Sequence, residues 1–77
     1  MQIEIINCNN ILFKGNIISI IAPGLNGYFQ VLENHAPFIS VLGDGIIKLF
    51  LKNFEKKIKI KGGFLKVKKN SVIVILQ

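Results

Sequence analysis

Side chains able to do bond chemistry are few in this sequence. It holds one histidine, His35, one cysteine, Cys8, and four carboxylates, Glu4, Glu33, Asp44 and Glu55, scattered along 77 residues. A side-chain nucleophile needs a base within hydrogen-bond reach and a third group to orient that base. Neither a serine nor Cys8 stands with His35 and an acid in such a signature, so no catalytic residue is expected. Structural and catalytic zinc sites take three or four protein ligands, and one histidine, one cysteine and dispersed acids do not supply them. No metal and no cofactor is expected. His35 reads as a loop residue whose ring hydrogen-bonds locally and orients Ala36-Pro37.

Two glycine-rich segments, Pro23-Gly24-Leu25-Asn26-Gly27 and Gly43-Asp44-Gly45, could be mistaken for phosphate loops. A dinucleotide fingerprint requires a helix N-terminus behind the glycines, and a phosphate-binding loop of the Walker type ends in Gly-Lys-Ser/Thr. Both elements are missing, so the segments read as β-turns.

The net charge of +6 comes from ten basic residues against four acidic ones, and all ten are lysines. Arginine, the usual residue for bidentate phosphate and guanine recognition, is absent, which weakens any specific reading of nucleic acid. Lys56, Lys57, Lys59, Lys61, Lys66, Lys68 and Lys69 lie near Phe54 and Phe64. A small basic β-barrel binding single-stranded nucleic acid is therefore the alternative function. The other aromatics are dispersed, and a solvated sheet face accounts for the lysines more simply. Lone Cys8 rules out an intramolecular disulfide and fits a reducing compartment. The apolar segment 3–6 carries an acid and lacks a basic leader, unlike a signal peptide. The longest apolar run, 17–22, is far short of the about 20 residues of a spanning helix.

Short β-branched runs separated by Gly, Pro, Asn and Asp clusters point to an all-β sandwich or barrel forming one domain over residues 1–77. Strands are expected at 2–7, 11–13, 16–22, 28–32, 38–42, 46–53, 56–61, 64–68 and 71–76. Turns are expected at Asn9-Asn10, Gly15-Asn16, 23–27, 43–45, Gly62-Gly63 and Lys69-Asn70. Alternation in Lys57-Ile58-Lys59-Ile60-Lys61 turns both isoleucines toward a core. The segments 17–21 and 72–76 are apolar on both faces, so their second face is covered either by another sheet or by another protein. The hydrophobic content of 51% leaves apolar surface over for a partner.

Several segments, in order, resemble the ATP synthase epsilon chain. Phe13-Lys14-Gly15 resembles that family's early Phe-x-Gly turn, and 22–27 resembles the turn before its Gly-x-x-Gly-Val-Leu-Pro strand. His35-Ala36-Pro37-Phe38 is similar to its His-Ala-Pro-Leu signature, and Leu42-Gly43-Asp44-Gly45 to its next turn. Gly62-Gly63-Phe64-Leu65-Lys66-Val67 and 70–76 resemble its last two strands. The departures are Gln30 for a frequent glycine, Glu33 for a frequent proline, and Tyr28 where many relatives carry an acid.

The resemblance implies a two-sheet β-sandwich of roughly ten short strands. It further implies a non-catalytic central-stalk (rotor) subunit that couples the gamma chain to the membrane c ring for proton-driven ATP synthesis. By the same resemblance Gly27, Tyr28 and Phe29 face the c ring, and His35, Ala36, Pro37 and Phe38 face gamma, with one sheet edge and face docking there. The alpha and beta catalytic subunits share the complex. Nucleic acid is not an expected partner, and the membrane is met only through the complex, at the cytoplasmic face of the bacterial inner membrane. Typical bacterial members continue into an inhibitory C-terminal helical hairpin. This sequence stops at Gln77, so the expectation is a sandwich without that brake.

Overall fold

The computed structural model describes residues 1–8 and 10–77. Nine strands follow one another: β1 (Gln2–Asn7), β2 (Asn10–Asn16), β3 (Ser19–Gly24), β4 (Gly27–Leu32), β5 (Phe38–Leu42), β6 (Gly45–Phe50), β7 (Glu55–Ile60), β8 (Gly63–Lys68) and β9 (Ser71–Leu76). The class is all-β, with nine strands among the described residues against roughly ten anticipated for a sandwich of this kind. Asn9, half of the anticipated Asn9-Asn10 turn, lies outside the described residues, while Asn10 opens β2. β2 runs on through the anticipated Gly15-Asn16 turn because Gly15 and Asn16 still pair with Ile3 and Gln2. Ile17 and Ile18 then form a bridge rather than the start of β3. The Ile17 amide donates to the Met1 carbonyl at 2.8 Å, and the Ile18 amide to the Phe50 carbonyl at 2.7 Å.

The strands form one hydrogen-bonded path that curls into two layers. One layer has the order β2-β1-β9-β8-β5, and the other has β4 and β6 on either side of β3, with β7 outside β6. Among the described residues the layers join by a single bridge between Gly24 and Leu42. The Lys56 Nζ lies 5.8 Å from the Phe13 ring centroid, which sets β7 beside β2. The Phe29 and Phe38 rings, 5.8 Å apart, set β4 beside β5 on the other flank. Between the layers lies one apolar core: Ile5, Leu65 and Val74 from the first layer and Ile20, Ile47 and Leu49 from the second are fully buried. Each such side chain contributes about 1.5–3 kcal/mol by leaving water. Ile60 is buried and Ile58 packs against the same core, as the alternation in β7 requires.

Two turns show why the layers meet in register. Lys69 and Asn70, with φ of 47° and 58°, both occupy the left-handed region between the paired residues Lys68 and Ser71. That is a two-residue type I′ hairpin, whose twist matches the strands it joins. At the start of β8, a Cβ on Gly63 would collide with the Ile75 carbonyl oxygen, so only glycine lets β8 approach β9 there. Gly43 is different, because its Cβ would meet only the Leu25 side chain at 3.7 Å. Gly63→Ala is expected to cost more than about 2 kcal/mol of unfolding free energy in urea titration, and Gly43→Ala less than about 0.5 kcal/mol. Equal effects at the two positions would contradict this packing.

Candidate docking surfaces

β3 and β4 form a hairpin closed by the pair Gly24 and Gly27, the latter at φ 124°. Successive residues of β4 point to opposite faces, and this divides Tyr28 from Phe29. Tyr28 is 59% exposed on the outer face, whereas Phe29 turns inward, packs against the core and lies edge-to-face with Phe38. Tyr28 also has a structural task. Its partner across the hairpin is Pro23, and continuing the register of β3 with β6 sets Pro23 opposite Ile46. Proline has no N–H to offer that ladder, and its carbonyl accepts instead from the Gly43 amide at 2.8 Å. The Ile46 amide is thereby left over, and it donates to the Tyr28 hydroxyl at 3.0 Å. Gly45 makes room for this contact, since a Cβ there would sit 2.5 Å from the same hydroxyl.

The loop 33–37 holds the His-Ala-Pro corner. Asn34 takes φ 64°, its amide donates to Asn70 Oδ1 at 2.8 Å, and Asn70 Nδ2 donates back to Asn34 Oδ1 at 3.2 Å. This reciprocal clasp pins the loop to the β8–β9 turn. His35 is exposed, with Nδ1 2.7 Å from the Ala36 carbonyl oxygen and its ring 4.8 Å from that of Phe38. An Nδ1 proton makes that contact a hydrogen bond that orients Ala36-Pro37, the local role anticipated for it. Phe38 packs against both His35 and Phe29. Gly27, Tyr28 and Phe29 on β4 and His35, Ala36, Pro37 and Phe38 after it thus share one flank of the sandwich, tied by an aromatic chain.

A third surface emerges only from the register. Across the first layer Val41 pairs with Phe64, Phe64 with Ile75, Ile75 with Ile6, and Ile6 with Ile11. All five lie on the outer face of the layer. Ile11, Ile75, Phe64 and Val41 are 58%, 47%, 54% and 45% exposed. The next row, Ile39–Lys66–Ile73–Glu4–Lys14, is mixed, and the row Lys68–Ser71–Gln2 is polar. Apolar character is therefore graded across the face. It settles what covers the second face of β9: no element among the described residues does.

The lysines divide between the layers. Lys66 and Lys68 lie on the outer face just described, while Lys48 pairs with Lys57 on the outer face of the other layer. Phe54 sits in the β6–β7 turn and Phe64 at the start of β8, so β7 separates them. Such an arrangement provides no adjacent stacking rings of the kind that hold single strands. Among the described residues, no three of His, Cys, Asp and Glu come together in a group that could hold a metal ion.

A curled two-layer sheet with one apolar outer face and a flank of ordered loops is a β-sandwich domain. The chain belongs to the ATP synthase delta/epsilon chain β-sandwich domain family, which it matches over residues 1–77. It is 41% identical over 76 residues to the ATP synthase epsilon chain of Chlorobaculum tepidum, covering 97% of this chain and 86% of that one. To the epsilon chain of Leptospira borgpetersenii it is 36% identical over 75 residues, covering 97% of this chain and 59% of that one. The chain thus spans 59% of the length of the Leptospira relatives it matches. A chain in the mitochondrial ATP synthase of Euglena gracilis, solved with its F1 part and c-ring, shares the fold at a TM-score of 0.89 and 19% identity. That superposition covers 96% of this chain and 48% of that one. A chain in the central stalk and c-ring structure of the Tetrahymena thermophila mitochondrial enzyme superposes with a TM-score of 0.85 at 14% identity, covering 99% and 62%.

The apolar row and the Asn34–Asn70 clasp were not singled out from sequence. The sequence pattern shows only that 72–76 is apolar on both faces, and the row needs four registers at once. The clasp joins residues 36 positions apart. Asn70→Gly keeps the positive φ of the turn and removes the clasp. It is expected to cost about 1 kcal/mol and to speed hydrogen exchange at the Asn34 amide; an unchanged rate there would contradict the clasp. Tyr28→Phe is expected to cost about 0.5–1.5 kcal/mol through the lost Ile46 contact, read as a lower urea midpoint.

Proposed function

We propose that this chain is a non-catalytic rotor subunit of an F-type ATP synthase, the epsilon-type sandwich that couples gamma to the membrane c ring during proton-driven ATP synthesis. The observation that carries the reading is the uncovered apolar row on the outer face of β2-β1-β9-β8-β5 in a member of the delta/epsilon family. Stable subunit contacts bury more than about 1,000 Å² with an apolar centre, and this face offers such a centre with a polar rim at Lys68, Ser71 and Gln2. Gamma would cover the face and reach the His35–Phe38 corner at its edge. The hairpin end with Gly27, Tyr28 and Phe29 would meet the ring.

The geometry refines how those residues would act. Tyr28 would present its ring edge rather than its hydroxyl, because the hydroxyl already accepts from Ile46. Phe29 would hold the hairpin against Phe38 from within rather than touch the ring itself. The work is mechanical: torque passes through a module whose packed core has low compressibility. Its surfaces supply docking groups rather than a nucleophile with its base. The alpha and beta subunits are its neighbours in the complex, and its place is the cytoplasmic face of the bacterial inner membrane, held there by the ring.

The test is retention. Tagged chain drawn from its native cell is expected to bring gamma and the catalytic subunits with it. Phe64→Glu, outward-facing and harmless to the core, is expected to reduce captured gamma by about tenfold or more while leaving the thermal melt unchanged. A wild-type chain that captures no gamma, or one that instead binds a single-stranded oligonucleotide with steep salt dependence, would overturn the proposal.

A further inference from the structure

The two flanks of the sandwich treat their strand edges differently. An exposed edge offers unpaired backbone groups to any passing strand, and lysines, bulges and prolines are the usual defences. On one flank both edges are defended. β7 carries Lys56, Lys57 and Lys59, and β2 has Lys14 and a register shift opposite Ile5 and Ile6. On the other flank β4 and β5 contain no charged residue. The outward side chains of β4 nonetheless lean back on their own layer, Tyr28 to the Ile46 amide and Gln30 Nε2 to Ser19 Oγ at 3.4 Å.

β5 has no such cover. Its sequence, Phe38-Ile39-Ser40-Val41-Leu42, pairs with β8 on one side, and on the other makes the single bridge to Gly24. Ile39 is 68% exposed. Among the described residues the Ser40 hydroxyl makes only a within-strand contact, to the Val41 carbonyl at 3.3 Å. Beside this edge runs a groove lined by Leu25, Gly27 and Phe29 of the hairpin and by Ile39, Ser40 and Val41.

We propose that the free edge of β5 is a strand-addition site: an extended, uncharged segment of the chain that covers the apolar face pairs with Ile39, Ser40 and Val41 and continues the five-stranded layer. This deepens the docking reading above and rests on it. Three features select such an occupant. The outer side chains of β5, Ile39 and Val41, head the mixed and apolar rows, so a strand added here extends a face already assigned to that partner. Alternation then dictates its side chains: two apolar residues spaced i and i+2 on the outer face, beside Ile39 and Val41, with a small residue between them. The hairpin residues Leu25, Gly27 and Phe29 line the same groove and offer apolar contact to a strand laid along the edge.

Amide hydrogen exchange in the assembled complex and in the free chain tests this. Amides at 39–41 are expected to slow by at least about tenfold on assembly, with those of β7 unchanged. The double variant Ile39→Lys, Val41→Lys, whose side chains point outward, is expected to melt like the parent and to lose gamma capture. If the chain is retained in the complex with exchange at 39–41 unchanged, the inference fails and the docking reading survives. If wild-type chain is not retained at all, both fail. Slowing that develops in the free chain as its concentration rises, together with a dimer mass, would assign the edge to a second copy and overturn the proposal.

Discussion

The parallel ladder between β1 and β9 is the contact on which the rest of the molecule depends. It runs from Gln2 opposite Ser71 to Asn7 opposite Leu76 and joins the first strand of the chain to the last. Without it the β1–β2 and β8–β9 hairpins would be separate ribbons with half a core each. With it Ile3 and Ile5 are set beside Val72 and Val74 on the inner face, and Ile6 beside Ile75 on the outer one. Such a pairing closes almost the whole chain and is entropically the costliest contact to form. The two hairpins supply the local structure that makes it reachable.

The same ladder creates the apolar outer surface. A pleated layer has two faces, and the four-stranded layer covers only one of them. The outer apolar row is therefore a consequence of completing the inner core with a strand that is apolar at every position from Val72 to Leu76. Its gradient, apolar toward Val41 and Phe64 and polar toward Lys68 and Gln2, gives the face an orientation. The flanks add a second asymmetry, with lysines and a bulge where no partner is expected and ordered, uncharged edges where one is. Ordering of the His35 corner and the burial of Phe29 meet at Phe38.

Much of the fold was legible in the residues. Turn chemistry located Gly62-Gly63 and Lys69-Asn70, and alternation oriented Ile58 and Ile60, because these are local decisions. Pro23-Gly24 read as turn yet ends β3: the Pro23 carbonyl accepts from the Gly43 amide, and the Ile46 amide donates to the Tyr28 hydroxyl instead, a contact 18 residues long. The stretch 46–53 read as one strand, yet the chain turns after Phe50 as the Leu51 amide donates to the Phe54 carbonyl at 2.9 Å. Tyr28 and Phe29 were grouped as neighbours on one surface, and the pleat sends them to opposite sides. The cover on the second face of β9 could not be read from periodicity, which reports that a face is apolar and is silent on what lies over it.

The central claim is that the outer face of β9 is covered by another chain in the working assembly. The direct measurement is thiol labelling with a charged maleimide at Ile75→Cys in a Cys8→Ser background, in the intact ATP synthase and in the free chain, with Lys57→Cys as the opposite-face reference. The account predicts that labelling at position 75 is slowed by about tenfold or more in the assembly, while position 57 reacts alike in both. Equal labelling at position 75 in the assembly and the free chain would contradict it.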